Sequence, residues 1–206
     1  MVPERRSTSA RSTRRPFFPT SLLTPRYLHV VAYAPWVFGT VTTTFVFLPS
    51  QLSEHLDRPI LVAGLMAMLT MGSGVIIQQL AGRIRMTPFH GMVLAALGMG
   101  LCLTIIAAAH HSWAVALLPV AAIVMGCSYG IGMLTGLAET QAIAHPDQLG
   151  AATGVFYSLT YLGFFAPFIL SLLGPAVGYS TAFILGLVVA ALTAGWLRMK
   201  GRGSRG

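Results

Sequence analysis

Seven side chains suited to holding a small molecule stand inside long apolar runs: Tyr33, Trp36, Thr40, Gln78, Tyr129, Tyr157 and Tyr161. Phenols, an indole, a hydroxyl and an amide offer ring faces and hydrogen bonds. They carry no charge and supply no nucleophile with an adjacent base. The chemistry they suit is recognition, not bond making. Three charged residues border the same runs. Arg83 and Arg85 share one turn, and Glu139 ends another run. An ion pair between Glu139 and either arginine would latch two helix ends together. The plainer alternative is three solvated surface charges, for which an exposed pair contributes about 0–1 kcal/mol.

Other chemistry finds no support in the residues. His29 and His90 stand apart, and His110 and His111 are neighbours in a turn. None belongs to a zinc-type ligand set. Ser73, in Met71-Gly72-Ser73-Gly74, has no histidine deep in a later run to act as its base. There is no phosphate-binding loop. The expectation is a non-enzyme with no cofactor and no metal.

The elements that must hold these side chains follow from composition. Of 206 residues, 55 % are hydrophobic and only 9 % charged, against about 25 % in a soluble domain. Mean hydropathy is +0.74. Five acidic and 13 basic residues cannot cover so much apolar surface in water. A soluble enzyme, a disordered chain and a disulfide-stapled secreted module are excluded. Cys102 and Cys127 both lie in apolar stretches and say nothing of redox compartment. A multi-spanning membrane protein in a lipid bilayer remains.

Residues 27–53 carry no Asp, Glu, Lys or Arg, and neither do residues 150–197. Between Pro59 and Ala138 the only charges are Arg83 and Arg85. Such runs, without strict alternation, specify helices and not a barrel. Turn signals divide them into six spans: 27–48, 59–81, 88–109, 113–138, 151–173 and 179–197. The transmembrane domain is 27–198. A basic tail, 1–26, is read as disordered, and a short basic tail, 199–206, follows. Thr13-Arg14-Arg15-Pro16-Phe17-Phe18 loosely resembles a twin-arginine export signal, but the run behind it is long enough to span and lacks a clear cleavage site.

Charge orients the spans. With the N-terminus inside, 12 of the 13 basic residues fall on the inner side and only Arg58 outside. Both termini are therefore expected in the cytoplasm, and the protein in the cytoplasmic membrane. The net charge of +8 reflects these basic ends and not nucleic-acid binding.

Polar residues inside the spans are unevenly spread. Tyr33, Trp36, Thr40 and Thr43 recur at helical spacing in the first span, and Thr153, Tyr157, Thr160 and Tyr161 in the fifth. The second span has Thr70, Ser73, Gln78 and Gln79, and the fourth Ser128, Tyr129 and Thr135. Spans three and six are plainer. Spans one, two, four and five would line a wet cavity, with three and six as outer supports. The alternative is that these groups glue helices together. Gln78 and Tyr157 favour the cavity, because large polar groups are costly to hide in lipid. Gly126 and Gly130, and again Gly132 and Gly136, are spaced for close helix approach, read as packing within the bundle. Pro35, Pro119 and Pro167 fall within spans and predict kinks.

Three segments carry a family likeness: Ala34-Pro35-Trp36-Val37-Phe38-Gly39, Gln78-Gln79-Leu80-Ala81-Gly82-Arg83-Ile84-Arg85, and Gly150-Ala151-Ala152-Thr153-Gly154-Val155-Phe156-Tyr157 through Tyr161-Leu162-Gly163. In order and spacing, the chain resembles the C-terminal half of the major facilitator superfamily over about 27–198. The resemblance implies an all-α membrane fold in which six helices form inverted 3+3 repeats. It implies that the first, second, fourth and fifth helices face the cavity. It implies alternating-access transport of a small solute, with the solute site shared with a second six-helix half, its own copy or a separate chain. The inner-loop motif is reduced here to Arg83 and Arg85. The competing reading is a non-transporting membrane subunit or a truncated, non-functional fragment.

Overall fold

The computed structural model of the protein describes Leu22 and residues 24–203. The export-signal likeness and most of the basic tail lie outside the described residues. Among the described residues there is no strand, and six helical segments are long and apolar enough to cross a membrane. They run Leu28–Gln51, Pro59–Ile84, Pro88–Ala107, Trp113–Ile143, Pro146–Val177 and Tyr179–Met199. The first span begins beside the end of the sixth, where the His29 and Trp196 rings meet edge to face at 4.8 Å.

Several boundaries differ from the sequence expectation, each for a local reason. The fourth helix runs on past Glu139 to Ile143, because Glu139 finds a partner inside the bundle. It stops where Ala144 and His145 turn extended ahead of Pro146, the backbone that a following proline enforces. The last helix continues to Gly203, beyond the expected end of its span. Leu22 is buried among Tyr27, Val30 and Ala152, so packing starts ahead of the first span.

Prolines shape the helices they interrupt. Pro49 has no N–H to donate and its ring crowds the carbonyl four residues back. The turn before it, Thr43–Phe47, widens into a π-turn, with the Leu48 N–H reaching back to the Thr43 carbonyl. Pro167 likewise cannot serve Gly163. The chain tightens into a 3₁₀ turn over Leu162–Phe165, and the Ala166 N–H takes the Gly163 carbonyl instead. The Thr42 hydroxyl lies 2.9 Å from the Phe38 carbonyl of its own helix and 3.2 Å from that same Gly163 carbonyl, and so ties the first span to the fifth.

Turns are short. The second span ends with Arg85 left-handed at φ 52°, its N–H on the Ala81 carbonyl, a conformation that usually falls to glycine. The third opens on a reciprocal cap in which Thr87 and His90 satisfy each other's turn, with Pro88 at the first helical position. His90 is thus a capping residue. Between spans five and six, Gly178 takes φ 87°.

The fourth span is the hub, packing against the first, second, third and fifth. The third lies against both the fourth and the sixth. The second, fifth and sixth spans leave most of their surface open. Glycines let the hub pack closely. A Cβ on Gly126 would strike the Thr70 carbonyl and Ser73, and one on Gly130 would strike the Gly74 carbonyl. Gly132 faces Val37, and Gly136 faces Phe156 and Tyr33. Both spaced glycine pairs therefore serve packing within the bundle. The first and fifth spans cross at Gly39 and Gly163, where a Cβ on Gly163 would meet Gly39 N and the Pro35 carbonyl. Gly163→Ala is expected to push these helices apart and to cost about 1–3 kcal/mol, the usual penalty of overpacking. Thermal unfolding of the purified variant checks it.

Candidate solute-binding site

The crossing at Gly39 and Gly163 places an aromatic residue beside each glycine. Phe38 and Phe164 stack with ring centroids 4.7 Å apart at 17°. Phe38 also lies 5.7 Å from Tyr129 and 5.5 Å from Tyr161. Tyr161 is 5.8 Å from Phe164 and 6.2 Å from Tyr157. These separations are those of attractive ring pairs. Five rings from the first, fourth and fifth spans thus form one array. Tyr161 is 51 % exposed and Phe164 49 %, so the array opens to the bundle surface. The Tyr129 ring lies against Gly74, one turn before half-buried Gln78 on the second span. Tyr129, Tyr157 and Tyr161 are accordingly brought together in the array, while Gln78 stands on the second span, one turn beyond the Tyr129 contact.

The remaining sequence candidates sit elsewhere. Thr40 is fully buried, its hydroxyl donating to the Val37 carbonyl of its own helix at 3.1 Å. Trp36 packs against both hydrophobic cores. Tyr33 is buried, and its hydroxyl donates to Glu139 Oε2 at 3.2 Å. The Tyr33–Trp36–Thr40 face of the first span therefore points into the packed interior. The first-span residue in the ring array is Phe38, on another face. Helical spacing finds a face but not the direction in which it points. Phe38 and Phe164 escaped notice because aromatic hydrocarbons do not stand out in an apolar run. The available signal was the glycine beside each.

The proposed inner latch has a different geometry. Arg83 and Arg85 are exposed and form no ion pair among the described residues. The Glu139 carboxylate turns to the first span, to Tyr33, with Arg26 as the nearby positive charge. The reason is the hub packing. The fourth span buries the Glu139 side against the first helix, while the arginines end the more exposed second span.

Among the described residues no three His, Cys, Asp or Glu side chains gather as metal ligands. What the array can do chemically is hold a ring by its faces and a polar edge by phenol hydroxyls.

A model of the Major Facilitator Superfamily matches residues 2–166. No curated protein and no solved structure matches the chain. Members of that family are transporters, and the six apolar helices agree with it. With the match covering most of its length, the chain belongs to the major facilitator superfamily.

Proposed function

We propose that the chain is the C-terminal half of a secondary transporter. It moves a small solute across the cytoplasmic membrane by alternating access. The observation that carries this reading is the half-open ring array. A wall built by spans one, four and five opens to the bundle surface. A second six-helix half, another copy or a separate chain, would complete the enclosure. The likeness of the three quoted segments to the family's C-terminal half supports the assignment. Twelve of 13 basic residues on the side that holds both tails support cytoplasmic termini.

Reconstituted vesicles screened for uptake of labelled small solutes test the reading. For a solute that the protein carries, Gln78→Leu and Tyr157→Leu should each cut uptake by about tenfold, as expected where a site loses a hydrogen-bonding group. Membrane insertion should not change. Unchanged uptake in both variants would remove these residues from the solute path.

A further inference from the structure

We propose that the ring array selects flat, uncharged aromatic solutes; this rests on the array being the solute site. Three features on the surface agree. The first is shape. Tyr161 and Phe164 present adjoining exposed rings inclined by 31°, and Phe38 stacks behind Phe164 at 17°. Phe38 thereby fixes the orientation of the outer ring. A planar ligand can stack face to face on one of these outer rings, as Phe38 does on the other side of Phe164, whereas a puckered saturated one touches a ring only at a few points.

The second is the polar rim. The hydroxyls of Tyr129, Tyr157 and Tyr161 meet no protein hydrogen-bond partner among the described residues. A phenol hydroxyl set in an apolar site normally has a partner, and a heteroatom on the edge of a ligand supplies one. The third is charge. No Lys or Arg lies in the first span, in the fourth, or in the fifth, so this wall offers an anion no counter-charge of its own in a low-dielectric site. The Glu139 carboxylate, the acid of the fourth span, is engaged by Tyr33. A cation finds no carboxylate in the array either. An uncharged ring system with a hydrogen-bonding edge satisfies all three features.

The test uses the full chain in lipid nanodiscs and two neutral probes. Acridone is flat, fluorescent and carries a carbonyl and an N–H on its edge. Adamantanone has the carbonyl without the plane. Saturable acridone binding is expected, with adamantanone competing at least about tenfold more weakly. Tyr161→Leu and Phe164→Leu should each weaken acridone about tenfold, the scale of one lost stacking partner. Both side chains are half exposed, so the bundle should survive, which gel filtration and thermal unfolding verify. Tyr161→Phe, which keeps the ring and loses only the hydroxyl, should weaken acridone less than Tyr161→Leu does. Adamantanone competing as well as acridone, with both weakened by the leucine variants, would overturn the aromatic preference and leave the array as a solute site. Acridone binding that is unsaturable, or indifferent to every ring substitution, would overturn the preference and the site together.

Discussion

Gly130→Leu is expected to abolish the folded bundle. A Cβ at this position already collides with the Gly74 carbonyl and the Ile77 side chain. The obstacle is backbone, which cannot rotate aside. A leucine must therefore force the second and fourth spans apart along their whole crossing. Overpacking usually costs about 1–3 kcal/mol and occasionally more, and an obstacle made of backbone belongs at or above the top of that range. The fourth span is the hub, so a displaced second span also uncovers Gly126 and the Tyr129 ring over Gly74. The expected readout is loss of the monodisperse peak in gel filtration. Gly100→Ala and Gly195→Ala provide the contrast. Neither glycine has anything within 4 Å of its added Cβ. Each substitution should be neutral or should stabilise by about 0.5–1 kcal/mol, through the better helix propensity of alanine. If Gly130→Leu behaved like these two, the described crossing of spans two and four would be wrong.

The second large effect concerns Tyr33 and Glu139. Their hydrogen bond, 3.2 Å long, joins the first span to the fourth near the end that carries the tails. Tyr33 is buried. Glu139→Leu leaves its hydroxyl with only Thr135 as a polar neighbour, and an under-satisfied buried polar group costs about 1–3 kcal/mol. Tyr33→Phe instead deprives a half-buried carboxylate of its donor, with a cost of similar size. Removing both partners leaves neither group stranded. The double variant Tyr33→Phe/Glu139→Leu is therefore expected to be more stable than the sum of the single effects predicts, by about 0.5–3 kcal/mol of coupling. Thermal unfolding of the four proteins measures the cycle. Strict additivity would mean that the two side chains do not interact. Arg83→Ala and Arg85→Ala, by contrast, remove exposed charges that touch no acid and should leave stability unchanged within about 0.5 kcal/mol.

The six spans could be read directly because lipid leaves the backbone only one economical choice over a long apolar run, and Gly and Pro punctuate such runs. Their ends were harder. Glu139 marked an end when read as a charge seeking water, yet the helix continues because Tyr33 supplies a partner inside the bundle. The π-turn before Pro49 follows from a proline, but nothing local distinguishes a wider turn there from a simple kink. The candidate site was partly visible. Tyr129, Tyr157 and Tyr161 stand out as polar groups in lipid, and they meet in one array. Tyr33 and Thr40 stand out equally and are buried elsewhere, Tyr33 bonded to Glu139 and Thr40 to its own helix. Which polar groups face a path, and which face a neighbouring helix, depends on the rotation of each helix about its axis. That rotation is set by close crossings such as Gly39 on Gly163, a contact between residues far apart in sequence. The same crossing brings Phe38 to Phe164.

On the proposed reading, these six helices form half of a transport unit whose solute wall a second half encloses. The most direct measurement is the protein mass of the complex extracted from native membranes in mild detergent, by light scattering with the detergent contribution subtracted. A complex with at least about twice the 21.9 kDa of this chain is expected. A lone 21.9 kDa species would leave the ring array open on one side, with no second half to alternate against, and would contradict the claim.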